Sequence, residues 1–190
     1  SCFAHVPGLR VVMPATVADA RDLLIASVLS DDPVLYIDDK WLYERRAELP
    51  VVRPLDLSSE GPRVLRSGSD ATLVGSGHST WLCEQAAEIL NGESISCEVV
   101  DLRVLNPLDC DLVCESAGRT GRLVVVDGGW SSSGIAAEVI AQVSVSGTHL
   151  ERSPVRLTLP PTPAPTSKAL ELGYYTKTSD IVDHVKRLYA

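Results

Sequence analysis

The 190-residue sequence predicts an α/β fold in three layers, a mostly parallel sheet with helices on both faces. Two observations carry that expectation. Between Cys97 and Trp130, a short apolar run ending in Asp101 is followed by an Asn-Pro turn, an amphipathic segment, a glycine break and a second apolar run ending in Asp127. Two fully buried strands joined by a helical crossover give this pattern, which is the unit of a parallel sheet. The same alternation recurs on both sides of it, over residues 9–38 and 71–159.

Leu9 to Met13 is a short buried strand ended by Pro14, and Thr16 with Asp19 three residues on starts a helix in the manner of a capping box. Ala20, Leu23, Leu24 and Val28 repeat at helical spacing and predict its inward face. Asp31-Asp32-Pro33 stops the helix and PVLYI forms the next strand. Two strands and a helix cannot cover both faces of a parallel sheet, so this unit is expected to be the tail of a larger domain.

From Glu44 to Ser69 the periodicity dissolves into charges, prolines and small polar residues, as in a connection between domains. Val51-Val52 and Val64-Leu65 are short strand candidates within it.

A second unit starts at the strand Ala71 to Val74, followed by the turn GSGHST. Ser79 or Thr80 is expected to cap a helix with Leu82, Ala86, Ile89 and Leu90 on one face, closed by Asn91-Gly92. Asp109 is the expected N-cap of the next helix, which carries Leu112 and Val113. After Asp127 the turn GGWSSSG leads into a helix with Ile135, Ala136, Val139, Ile140 and Val143 inward. Val155 to Leu159 is a further strand, PPTPAPTS an extended proline-stiffened run, and two helices finish the chain. Ile181, Val182, Val185 and Leu188 face inward in the last, and Lys186 and Arg187 suit its C-terminal dipole.

Composition narrows the function classes. With 45% hydrophobic and 22% charged residues, the chain is that of a globular protein, not a disordered one. No apolar run approaches the roughly 18 to 20 residues that span a bilayer, so no membrane partner is expected. The net charge of −8, from 17 Lys+Arg against 25 Asp+Glu, argues against nucleic acid, which needs a concentrated basic surface. Five cysteines, Cys2, Cys83, Cys97, Cys110 and Cys114, form no CxxC pair and no metal-ligand cluster, so they are expected to be reduced thiols.

The loops that follow parallel strands lie along one sheet edge, where open α/β proteins bind ligands. Gly75, Gly77 and His78 on the first such loop and Ser133 on the third form a candidate anion site at helix N-termini. A third glycine of the dinucleotide pattern is missing, with Trp81 and Leu82 near its place. Ser133, His78 and Asp101 make a paper triad, but without a G-x-S-x-G elbow a hydrolase is not expected. Asp101 and Asp127 are expected to end strands and bond loop groups. No catalytic apparatus emerges from these residues.

Taken in order, FAHVPGLRVVMP, DARDLLIASVLSDDPVLYI, EVVDLRVLNPLD, TGRLVVVD and PPTPAPTSKALE resemble the β subunit of thiamine-diphosphate-dependent 2-oxo acid dehydrogenases. PVLYIDDKWLY favours that subunit over deoxyxylulose phosphate synthase or another transketolase-like synthase, which share the last domain. The resemblance implies the end of a pyrimidine-binding domain over residues 1–45, a linker over 46–66 and a transketolase C-terminal domain over 67–190. It also implies that the residues acting on thiamine diphosphate and magnesium lie outside these residues. The segment alone is then expected to be inactive, with a role in assembly and docking. Implied partners are an α subunit, a second β subunit and the peripheral subunit-binding domain of a lipoyl acyltransferase. The docking positions would be Glu151 and the terminal carboxylate at Ala190.

A structural potassium ion is implied near Ser27, Val28, Ser30 and Asp32, where the family commonly has Asp at Ser30 and Asn at Asp32. The family's glycine-rich GGFGAE-type turn appears as Ser133 to Glu138 with two glycines lost. The implied compartment is the cytoplasm, or the mitochondrial matrix in a eukaryote. A stand-alone anion-binding regulatory module is the reading from another class.

Overall fold

The computed structural model describes residues 2–49, 51–52 and 54–189. Two sheets organise it. The smaller one has the order β2-β1-β6, and the larger β3-β5-β4-β7-β8, where β1 is Arg10–Val12, β2 Val34–Tyr36, β3 Arg63–Arg66, β4 Ala71–Gly75, β5 Cys97–Asp101, β6 Val104–Asn106, β7 Leu123–Trp130 and β8 Val155–Leu159. In the larger sheet β5, β4, β7 and β8 run parallel, and β3 is an antiparallel edge strand.

The parallel strands β4 and β5 are buried at every position, which is why each reads as a continuous run. Helices α2 (His78–Asn91) and α6 (Thr178–Arg187), the latter preceded by the short α5 (Lys168–Tyr174), cover one face of the sheet, where Leu73, Val99, Val124 and Val126 meet Leu82, Ala86, Leu90, Ile181 and Val185. Helices α3 (Asp111–Thr120) and α4 (Ile135–Val145) cover the other, where Val74, Val100 and Val125 meet Val113, Ala117, Val139 and Val143. This is the expected three-layer arrangement.

The first unit is small. Helix α1 (Val17–Leu29) packs Leu23 and Ala26 on Val12, Val104 and Leu57. The third strand of its sheet, β6, comes from the second unit and pairs antiparallel with β1, so the two units share a sheet.

Several local expectations are corrected. Leu24 and Val28 are 46% and 77% exposed, and the inward stripe of α1 is instead Asp19, Leu23 and Ala26. Apolar periodicity misses that stripe because an aspartate belongs to it. Ile89 likewise points out at 49% exposure. Val51 and Val52 are exposed coil, whereas Val64 and Leu65 do lie in β3. Asp109 sits one residue before the N-cap of α3, which is Cys110, and its Oδ1 accepts the Asp111 N–H at 2.8 Å in a side-chain turn. Helix α2 begins at His78 with Gly77 as N-cap, so Ser79 and Thr80 lie inside its first turn.

Candidate functional site

The carboxyl edge of the larger sheet is built from the loops after β4 and β7. Gly75 leads into α2 so tightly that a Cβ there would lie 2.7 Å from the Thr80 backbone nitrogen. Gly77, at φ +54°, would place a Cβ 2.6 Å from Met13 Cε and 3.3 Å from Asp39 Oδ2. The close neighbour explains the glycine. Asp39 reaches across from the first unit, and its Oδ2 accepts the His78 N–H at 3.1 Å. The Ser79 and Thr80 amides donate to the Ser76 and Gly77 carbonyls at 3.1 and 3.2 Å. Every one of these N-terminal amides of α2 therefore has a partner inside the chain.

The other glycine turn is closed in the same way. Asp127 Oδ1 accepts the Gly129 N–H at 2.8 Å, and its Oδ2 accepts the Ala136 N–H at 3.0 Å, in the first turn of α4. A Cβ on Gly134 would approach the Trp130 carbonyl oxygen to 2.4 Å. Ser133 stands exposed beside it at φ +56°. Carboxylates at helix N-termini satisfy amides and complement the dipole. The candidate anion residues Gly75, Gly77, His78 and Ser133 thus frame two helix N-termini that already hold internal carboxylates.

His78 faces a different neighbourhood. Its ring stacks between Trp41, at 5.5 Å and 24°, and Trp81, at 5.3 Å and 22°. Burial lowers its pKa against the opposing pull of Asp39. Asp101 is wholly buried; its Oδ1 accepts a hydrogen bond from Thr80 Oγ1 at 3.0 Å, and its Oδ2 has no partner among the described residues. Burial pushes its pKa up to about 7. His78 and Asp101 share no hydrogen bond and Ser133 is on another loop, so the paper triad has no geometry behind it.

Sequence reasoning missed the ion cluster that joins the units. Arg103, 4% exposed and at φ +58°, donates from Nη2 to Asp19 Oδ1 at 2.9 Å, and its Nη1 lies 2.6 Å from Glu60 Oε2 and 3.0 Å from the Gly61 carbonyl oxygen. Arg63 and Thr16 donate to the other oxygen of Asp19. A charged residue inside the apolar run LRVL was the available signal, because arginine is almost never buried without a partner. Glu98 in β5 gives the same signal and is held by Ser116 and Arg119.

At the implied potassium position the side chains are engaged with one another. Ser27 Oγ donates to the Leu23 carbonyl at 2.6 Å, Ser30 Oγ accepts the Asp32 N–H at 3.2 Å, and Arg10 Nε donates to Asp32 Oδ2 at 2.7 Å. The exposed Val28 side chain has no donor atom. These side chains do not fit a cation, since the single carboxylate among them already faces a guanidinium. Nor do the described residues fit a diphosphate with its magnesium: the glycine turns are closed by Asp39 and Asp127, and among the described residues no three His, Cys, Asp or Glu side chains cluster to hold a metal.

Of the two implied docking positions, Glu151 pairs with Arg122. The arginine Nη2 is 2.7 Å from Glu151 Oε2, and its guanidinium sits 4.4 Å from the centroid of the Tyr189 ring. Ala190 lies outside the described residues.

Comparison with known proteins places this architecture. The chain is 32% identical over 190 residues to the pyruvate dehydrogenase E1 component subunit beta of Rickettsia felis, covering 99% of this chain and 58% of that protein. It is 38% identical over 180 residues to the acetoin:2,6-dichlorophenolindophenol oxidoreductase subunit beta of Cupriavidus necator, covering 94% of this chain and 53% of the relative. The mitochondrial pyruvate dehydrogenase E1 component subunit beta of Rattus norvegicus is 31% identical over 195 residues, with 98% and 54% covered. The chain thus spans a little over half the length of these curated relatives. Among solved structures, a split-gene transketolase described as an inactive beta4 tetramer superposes with a TM-score of 0.72 at 26% identity, covering 97% of this chain and 58% of that one. A transketolase from Campylobacter jejuni shares the fold, with a TM-score of 0.62 at 16% identity over 98% of this chain and 27% of its own. The family model for the transketolase C-terminal domain matches residues 62–181, and the chain belongs to that family.

Proposed function

We propose that the chain forms part of the β subunit of a thiamine-diphosphate-dependent 2-oxo acid dehydrogenase and serves there in assembly and docking. The observation that carries this reading is the likeness to β subunits of pyruvate dehydrogenase, which runs through 99% of the chain and includes the first unit as well as the last domain.

The cofactor supplies the decarboxylation chemistry in such a complex, and protein groups bind, orient and exclude water. This chain contributes a scaffold in which the N-termini of α2 and α4 are closed by Asp39 and Asp127. Its partners are an α subunit, a second β subunit and the peripheral subunit-binding domain of a lipoyl acyltransferase. A net charge of −8 suits a basic docking partner. Glu151, exposed and near the C-terminal residues through Arg122, is the proposed contact.

Docking is tested by mixing the chain with an isolated subunit-binding domain at low salt. A complex is expected, weakened by salt and by Glu151→Lys. Absence of a complex at low salt, or indifference to that substitution, would count against the reading. Tight calorimetric binding of thiamine diphosphate by the chain alone would contradict its proposed inactivity.

A further inference from the structure

We propose that a cavity at the carboxyl edge of the five-stranded sheet binds a small planar aromatic carboxylate. From β4 the chain proceeds to β5 on one side and later to β7 on the other, so the β4–β7 boundary is the switch point of the sheet. Ligands of open α/β sheets sit outside the strand ends at that crevice. Here the crevice opens into a cavity of about 440 Å³ between His78 and Ser79 after β4 and Asp127 and Gly128 after β7, within the size range of small-molecule sites.

Its walls select the ligand's body. Leu82, Leu159 and Leu172 give an apolar floor and side, and the rings of Trp41, His78 and Tyr175 a wall. Trp41 is 66% exposed although it stacks on His78 and meets Tyr175 edge-on at 5.8 Å. A large exposed ring held in place by two others is a platform on which a further ring can pack. Burial disfavours the charged form of the His78 ring in this wall, against the opposing pull of Asp39.

The rim selects the ligand's charge. Lys168 and Lys177 are exposed at the mouth, and neither ammonium has a carboxylate partner among the described residues. Of the two carboxylates that line the cavity, Asp127 is held in place by the Gly129 and Ala136 amides, so neither of its oxygens turns to a lysine. The four charges at the mouth sum to zero, and the two ammonium groups are the donors left for a ligand carboxylate. The ligand is not a phosphate on the helix end, because the amides of the first turn of α2 are taken. This site does not depend on the subunit assignment.

Calorimetric titration of the whole chain with 2-naphthoate, and in parallel with 2-naphthalenemethanol, tests the proposal. Saturable binding of the carboxylate is expected, tighter than that of the alcohol, with amide resonance shifts centred on Gly128, Leu159 and Thr178. Trp41→Ala is expected to weaken both ligands about tenfold. Lys168→Gln with Lys177→Gln is expected to bring the carboxylate down to the alcohol's affinity. No saturable heat at millimolar ligand, or resonance shifts centred elsewhere, overturns the site. Equal affinity for the two ligands overturns the carboxylate assignment. The resonance map is read on the unaltered protein, so it decides the outcome even if a variant fails to fold.

Discussion

Asp39 and His78 join the two units through one carboxylate. Asp39 Oδ2 accepts the His78 N–H at 3.1 Å, and its Oδ1 accepts the Trp41 N–H at 3.1 Å, so a residue after β2 caps both its own 3-10 turn and helix α2. That shared cap sets Trp41 over the His78 ring. It also explains why Gly77 carries no side chain, since a Cβ would enter the space that Met13 and Asp39 occupy.

Replacing Asp39 therefore has two consequences at once. A lost helix N-cap costs about 1 kcal/mol. Asp39→Ala is expected to lower stability by about 1–2 kcal/mol in urea titration and to change Trp41 fluorescence, because the turn that carries the ring loses its cap. Asp39→Asn keeps one acceptor oxygen and should fall between. An unchanged urea midpoint for Asp39→Ala would show that the cap adds nothing.

The buried pair of Asp19 and Arg103 makes a stronger prediction. Both side chains are within 5% exposure, and the two residues belong to different units. Removing one partner strands the other charge in the interior, which costs about 3–5 kcal/mol. Arg103→Ala is expected to fall in that range in chemical denaturation. Arg103→Lys should recover only part of the loss, because an ammonium cannot reach Asp19, Glu60 and the Gly61 carbonyl together. Arg103→Gly relieves the positive φ and should still be destabilised, since the charge is lost. A double-mutant cycle with Asp19→Ala isolates the coupling; additive losses would refute it.

How far these features could be read in advance depends on whether their causes were local. The strands β4 and β5 are buried along their lengths and β7 over its first four residues, so apolar runs marked them directly. Helix α1 was legible as a helix but not in its facing, because Asp19 occupies the inward stripe and its arginine partners, Arg63 and Arg103, come 44 and 84 residues later. Ser79 and Thr80 suggested the wrong start for α2 because its capping carboxylate comes from Asp39, 39 residues earlier. The aromatic wall of the cavity has the same origin: Trp41, His78 and Tyr175 come from separate stretches that meet only across the folded edge.

Potassium should have no specific effect on this chain. The Arg10 guanidinium already faces Asp32, the single carboxylate among the implied ligand positions, and also donates to the Leu57 carbonyl at 3.4 Å. A monovalent cation would meet that fixed positive charge. Equal melting midpoints in potassium chloride and sodium chloride at matched ionic strength are expected. A midpoint raised only by potassium would show that carbonyl oxygens hold the ion despite Arg10.

Asp101 gives the chain a measurable pH dependence. Burial raises its folded pKa to about 7, with the Asp19 charge adding to the rise and Thr80 and Arg103 opposing it. In the unfolded chain the same carboxyl titrates near 3.9. Below about pH 4 both states hold the proton, and the group costs nothing. As pH rises from about 4 to about 7, the unfolded state releases its proton while the folded state retains it, so stability falls by about 1.4 kcal/mol per unit. Above about pH 7 the folded form ionises too and the penalty levels off at a few kcal/mol. Asp101→Asn removes the titration and offers the Thr80 hydroxyl an acceptor without the buried charge. Urea midpoints of the two proteins should accordingly diverge from pH 5 to pH 7, the variant gaining on the parent, and run parallel above pH 8. A difference that stays constant across that range would mean that Asp101 is ionised in the fold throughout, with its second oxygen satisfied by solvent.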